Sequence, residues 1–180
     1  MLNTPAVQRF LVACLALIVS VSVALAQAVE HPTTVLLVRH TEQLRDGSPD
    51  PALDSAGMAR AGRLRDALEH AGVTAIITTH LQRSTLTAEP LAKRLGIAPV
   101  VMRVGGPIPE HVKAVVAEVR EKHAGEVVLV VGHSNTVPLI VRELGGTAPD
   151  QLGEGEFDNL FIVTVPGGGS GKVTTIRARY

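Results

Sequence analysis

Residues 34–42 read TVLLVRHTE. Apolar and β-branched side chains run from Thr34 to Val38 without alternation, and Arg39 and His40 follow side by side. A strand with one wet face alternates, whereas a strand covered on both faces is a continuous apolar run. Three further runs have the same character: Ala75–Ile77, Pro99–Met102 and Val127–Val131. Between these runs lie four stretches with apolar residues at i, i+3, i+4 and i+7, the spacing of one helix face. They are 55–71 (Leu64, Ala67, Leu68, Ala71), 84–95 (Ala88, Leu91, Ala92, Leu95), 110–123 (Val112, Val115, Val116, Val119) and 135–144 (Val137, Ile140, Val141, Leu144). Asp54 or Ser55 can cap the first helix, and Gly72, Gly96, Gly125 and Gly145 stand at or just beyond the four ends. Strand and helix in strict alternation predict an α/β three-layer sandwich: a mostly parallel sheet with helices on both faces. Leu160–Val165, the turn PGGGSG and Lys172–Tyr180 read instead as an antiparallel hairpin at the sheet edge. Residues 43–54 and 145–157 are long Gly-, Pro- and Asp-containing loops, and loops of that length are often functional.

The chain of 180 residues has room for one domain with a real core. Residues 1–26 are set apart from it. Arg9 is followed by an almost unbroken apolar stretch, Phe10–Leu25, and then by the small-x-small site Ala24-Leu25-Ala26. This is the pattern of a secretory signal peptide cleaved after Ala26 or Ala28, leaving a single domain over 27–180 and a secreted, periplasmic location. A membrane anchor would want a longer apolar run and flanking positive charge, so no membrane insertion is expected after cleavage. Leu11–Cys14 resembles a lipoprotein box, but only Phe10 separates it from Arg9. Cys14 is the only cysteine, so the mature chain forms no disulfide and offers no thiolate to a metal. Without Arg9 it carries 16 basic and 17 acidic residues, a net charge of −1. Neither that balance nor one Tyr, three Phe and no Trp suits a nucleic-acid partner.

Open α/β sheets bind ligands beyond the carboxyl ends of their strands. The first strand delivers Arg39-His40-Thr41 there. The second ends near Thr78 and leads through THLQ (79–82) to Arg83, and the fourth delivers Gly132-His133-Ser134-Asn135. Two arginines and two histidines therefore converge on one rim, beside helix N-termini that favour anions. Guanidinium forks match the oxygens of a phosphoryl group, and a neutral imidazole is a nucleophile at phosphorus. A second imidazole can donate a hydrogen bond to the transferring oxygens.

At these residues the chain resembles the histidine phosphatase superfamily, the phosphoglycerate-mutase-like fold. Arg39-His40-Thr41-Glu42 is similar to its RHG/RHT motif, LQRSTLTAEPLA (81–92) to its second motif and Gly132-His133-Ser134 to its third. DPALDSAGMARA (50–61) resembles the segment that follows the first loop. The resemblance spans roughly Thr33 to Val165. It implies a phosphatase without metal or other cofactor, in which His40 is phosphorylated, Arg39, Arg83 and His133 hold the phosphoryl group, and water then releases it. Thr41 and Ser134 would contact the substrate, and His80, where the family often has proline, would line the pocket mouth. Many members carry a carboxylic acid that protonates the leaving group; Glu110, in PIPEH at a loop–helix junction, is the candidate, with Asp46, Asp50 and Glu42 as competitors. Without such an acid, phosphoramidates and acyl phosphates would be favoured. Export argues against a glycolytic mutase. Small exported members resemble phosphatases of lipopolysaccharide-core sugar phosphates, and small phosphohistidine phosphatases are the other likeness, so the implied partner is a small phosphorylated compound such as a cell-envelope sugar phosphate.

The rival class is a non-catalytic phosphate- or phosphosugar-binding module using the same pocket. A metal site from His40, His80 and His133 lacks the usual spacings. His31, His70, His111 and His123 read as surface residues, and PGGGSG opens no helix, unlike a phosphate-cradling loop.

Overall fold

The computed structural model describes residues 31–169 and 171–180. The proposed leader and both cleavage sites lie outside the described residues. Six strands form one sheet: β1 (Thr33–Arg39), β2 (Ala75–Thr79), β3 (Val100–Met102), β4 (Val127–Gly132), β5 (Asn159–Val165) and β6 (Thr174–Arg179). Their order is β3-β2-β4-β1-β5-β6. The first four are mutually parallel; β5 runs antiparallel to β1, and β6 antiparallel to β5 at the edge. Four helices connect or follow the parallel strands: α1 (Ser55–Leu68), α2 (Gln82–Leu95), α3 (Ile108–Lys122) and α4 (Val137–Glu143).

The continuous apolar run of β1 is explained by two cores. Val35 and Leu37 pack with Val112, Val115, Val116 and Val119 of α3 and with Ile140 and Val141 of α4. Leu36 and Val38 face the other way, onto Leu64 and Leu68 of α1 and Ala88, Leu91 and Ala92 of α2. All four β1 residues are at most 4% exposed, so the strand has no wet face on which a polar residue could alternate. The hairpin is an edge element as expected, with most of β6 exposed. No helix among the described residues is long and apolar enough to cross a membrane.

One helical phase differs from expectation. α1 stops at Leu68, Ala67 and Ala71 are exposed, and the buried residues are Gly57, Ala61, Leu64 and Leu68. Alanine fits either face, so its spacing is a weak guide. The phase is decided by Asp54, whose side chain accepts from Gly57 N at 2.8 Å, and by the chain at Glu42, against which Gly57 packs. α2 ends as read, at Gly96 with φ 68°, a left-handed position that suits glycine.

Candidate active site

The carboxyl ends of β1 and β4 are tied together, because Arg39 is in register with Gly132 and His40 N donates to Gly132 O at 2.9 Å. The residues after each strand therefore meet. The rings of His40 and His133 stand 5.3 Å apart, edge to face at 62°. Arg83 leaves the first turn of α2 with its side chain 18% exposed, close enough to oppose protonation of both histidines. Arg39 is anchored from the opposite side: its Nη1 donates to Gly153 O and Glu154 O at 2.9 Å each, and its guanidinium lies 4.0 Å over the Phe157 ring. The Nε atoms of Arg39 and Arg83 are buried without a protein partner, the state in which a donor most favours an anion. A cavity of about 420 Å³ is lined by Arg39, His40 and Arg83, and one of about 520 Å³ by Arg83 and His133. They share Arg83, Ser134 and Gln151, so they are two lobes of one cleft.

The nucleophile candidate is prepared by its neighbours. His40 Nδ1 lies 2.8 Å from Thr41 O. A carbonyl only accepts, so Nδ1 carries the proton and Nε2 keeps its lone pair. Burial, and secondarily the charges of Arg83 and Arg39, push the pKa of His40 down to about 4. Burial also leads the lowering of His133 to about 3, followed by the effects of His40 and Arg83. Desolvation, more than the two arginines, keeps His40 neutral. The ring of His133 is steadied by Thr79, whose hydroxyl lies 3.2 Å from Nε2 and donates to Ser84 Oγ at 2.9 Å.

These shifts carry a stability consequence. An unfolded histidine takes up its proton near 6.5, whereas the folded protein protonates His40 only near 4 and His133 near 3. Between those values the unfolded chain binds more protons, so acidification favours unfolding. The contribution is fully present above about pH 6.5 and is lost as pH falls through that window, at roughly 1.4 kcal/mol per unit for each group. Urea denaturation is expected to record this loss from about pH 7 to about pH 4.5, and His133→Asn to flatten it. An unaltered slope in that variant would contradict the account.

Other residues are placed differently from expectation. Thr41, read as a substrate contact, is 0% exposed. Its hydroxyl donates to Gly57 O at 3.0 Å, and its N–H donates to Thr87 Oγ1 at 3.0 Å, so it ties β1 to α1 and α2 rather than facing the cleft. His80 is exposed, and its Nδ1 accepts from Val104 N at 3.2 Å; it holds the strand-to-helix loop and is not among the residues lining either lobe. Ser134 lines both lobes. At the N-terminus of α2 the first N–H is taken, because Gln82 N donates to both oxygens of Asp50, at 3.0 and 3.3 Å.

The carboxylates weighed as proton donors are mostly engaged. Asp50 caps α2, and Asp46 accepts from Ser48 N in an exposed turn. Glu42 receives two bonds from Arg60 Nε and a 2.6 Å ion pair from Nη2, which hold its carboxyl below the usual range and hence ionised. Glu110 is exposed in the first turn of α3, its carboxylate about 3.8 Å from where a Cβ on Gly106 would stand.

Some lining residues escaped the sequence reading. Phe157, Gln151 and the Gly153 and Glu154 carbonyls come from the 145–157 loop, whose length alone marked it. His111, read as a surface residue, is half-buried and lines the His133 lobe. His123 is not a free surface group either: it lies 3.0 Å from Glu126 Oε2 and 3.9 Å from Glu118 Oε1, with its side chain 16% exposed. Among the described residues, no group of three or more His, Cys, Asp or Glu side chains is arranged to hold a metal ion.

Comparison with known proteins adds to this picture. No curated protein sequence matches the chain significantly. Among solved structures, the protein histidine phosphatase SixA complexed with tungstate superimposes with a TM-score of 0.63 at 18% identity, covering 81% of this chain and 96% of that one. The mycobacterial glucosyl-3-phosphoglycerate phosphatase Rv2419c superimposes with a TM-score of 0.62 at 14% identity, covering 83% of this chain and 99% of that one. At such identities the likeness establishes the fold. Residues 35–104, which include Arg39, His40 and Arg83, match the family model "Histidine phosphatase superfamily (branch 1)". That match, together with the fold, makes the chain similar to the histidine phosphatase superfamily and supports phosphatase activity.

Proposed function

We propose that this protein hydrolyses a small phosphomonoester, or a related phosphoryl compound, through a phosphohistidine formed on His40. The observation that carries the proposal is the state of His40: neutral, with its Nδ1 proton committed to Thr41 O and its Nε2 lone pair available. Nε2 attacks phosphorus, the bond to the leaving oxygen breaks, and water then cleaves the N–P bond to release phosphate. Arg39 and Arg83 supply two positive charges for the phosphoryl oxygens and need no added cation to do so. A bound dianion raises the proton affinity of His133, which makes that ring a donor when substrate is present. SixA, of similar fold, was solved with tungstate, a tetrahedral oxyanion that suits the same kind of site.

The apolar leader supports an exported, periplasmic enzyme and hence a substrate such as a phosphorylated sugar of the cell envelope. Rv2419c, named for a phosphorylated sugar derivative, is consistent with that class. The decisive experiment is to mix enzyme with labelled p-nitrophenyl phosphate, quench, and isolate the protein. Acid-labile label on His40, with turnover unchanged by chelator, is the expected result. Phosphate binding without label or turnover would favour a binding module, and chelator-sensitive turnover would favour a metalloenzyme. Arg83→Ala is expected to lower kcat/KM by about 10²–10³, the usual cost of losing one preorganised donor; a loss below tenfold in steady-state assays would remove Arg83 from the oxyanion site.

A further inference from the structure

On the phosphatase reading above, a leaving oxygen still needs a proton, and we propose that His111 of α3 supplies it, so that the substrate class includes alkyl phosphomonoesters with poor leaving groups. Among the carboxylates considered, Glu42 is held ionised by Arg60, Asp50 caps α2 and Asp46 closes a turn. Glu110 lies exposed beside Gly106, outside the lining of both lobes. His111, the next residue along, does line the lobe that contains His133 and Arg83. It is close enough to His133 for its charge to oppose protonation there. The Arg103 backbone lies close enough to the ring to favour its protonated form.

Arg83 and His133 share the lobe with His111, and the Arg103 backbone lies beside its ring. Burial lowers its proton affinity in the free protein, and a phosphate dianion entering the lobe acts in the opposite sense. In the first step the Nε2 lone pair of His40 forms the N–P bond. The P–O bond breaks with its electron pair left on oxygen, and that oxygen takes the proton of the His111 imidazolium. In the second step water attacks phosphorus and gives its proton to the now neutral His111, while the N–P electron pair returns to His40. The sum is ester plus water to alcohol plus phosphate, with both histidines restored.

The test compares wild type, His111→Asn and Glu110→Gln on p-nitrophenyl phosphate, whose leaving group departs unaided, and on glycerol 2-phosphate, whose alkoxide does not. A general acid typically contributes about 10²–10⁴ in rate. The ratio of kcat/KM for the aryl ester to that for the alkyl ester is therefore expected to rise about 100-fold or more in His111→Asn and to stay at the wild-type value in Glu110→Gln. Equal losses on both esters would assign His111 a structural role, and a raised ratio only in Glu110→Gln would transfer the task to that carboxylate. Wild type that turns over the aryl ester alone would overturn the role of His111 and leave the phosphohistidine reading standing. Wild type that turns over neither ester and takes no label on His40 would overturn both.

Discussion

His40→Ala is expected to lower kcat for p-nitrophenyl phosphate by at least about 10⁴-fold, some 5.5 kcal/mol of barrier, because no other group can take its place as nucleophile. His133 Nε2 lies 3.2 Å from the Thr79 hydroxyl, so that nitrogen is engaged and the ring is no spare nucleophile. The variant should keep its fold, because it removes a buried polar ring whose one strong bond is to the adjacent carbonyl of Thr41. It should also keep affinity for inorganic phosphate, since Arg39 and Arg83 are untouched. Single-turnover kinetics and phosphate calorimetry on the same sample separate the two properties. Retained phosphate binding with abolished turnover is the expected pair of results. A loss of less than tenfold would mean that the attacking atom is not on His40.

The second large effect is on stability. Gly57 lies in the first turn of α1, and a Cβ built there would stand 2.0 Å from Glu42 O and 2.9 Å from Glu42 C. Those are backbone atoms of the segment that follows His40, and Asp54 N donates to the same Glu42 carbonyl at 3.1 Å. Neither chain can yield without disturbing the bonds of Thr41 to Gly57 and Thr87. Helix propensity favours Gly→Ala by roughly 1 kcal/mol, and the clash reverses the sign. Gly57→Ala is expected to cost about 2–3 kcal/mol, which in a domain of this size lowers Tm by roughly 4–12 °C. Gly62, on the same helix, has nothing within 4 Å of its added Cβ. Gly62→Ala should therefore stabilise by about 0.5–1 kcal/mol. Urea denaturation of the two variants tests the argument by sign; destabilisation of both to the same degree would rule out close packing at Gly57 as the cause.

Much of this architecture was legible because burial is written locally. Continuous apolar runs announced β1, β2 and β4 as strands covered on both sides, whereas β3, read the same way, lies at the sheet edge with Val101 exposed; the valines of α3 marked its buried face without error. The same local rule failed at α1, where alanines left the phase open and a contact from Glu42 chose it. Arg39, His40, Arg83 and His133 could be assigned to one rim because parallel strands must deliver their C-terminal residues to the same edge. Their meeting depends only on topology.

The finer features of the cleft depend on pairings remote in the chain. The carbonyls that hold Arg39 lie 114 and 115 residues away, in a loop whose sequence carries no period. Asp50 became a helix cap and Thr41 a buried bracket because of partners at Gln82, Gly57 and Thr87. His111 and Glu110 are neighbours in sequence, yet the turn of α3 puts one against the cleft and the other outside its lining. The sequence by itself determined the layers, the strand polarity and the chemistry available at the rim, since these follow from local burial and from the direction of each strand. Only the tertiary structure decided which side chains are consumed by the scaffold and which face the cleft, because a polar group's availability is set by the partner that reaches it first, and those partners are brought in by the whole fold.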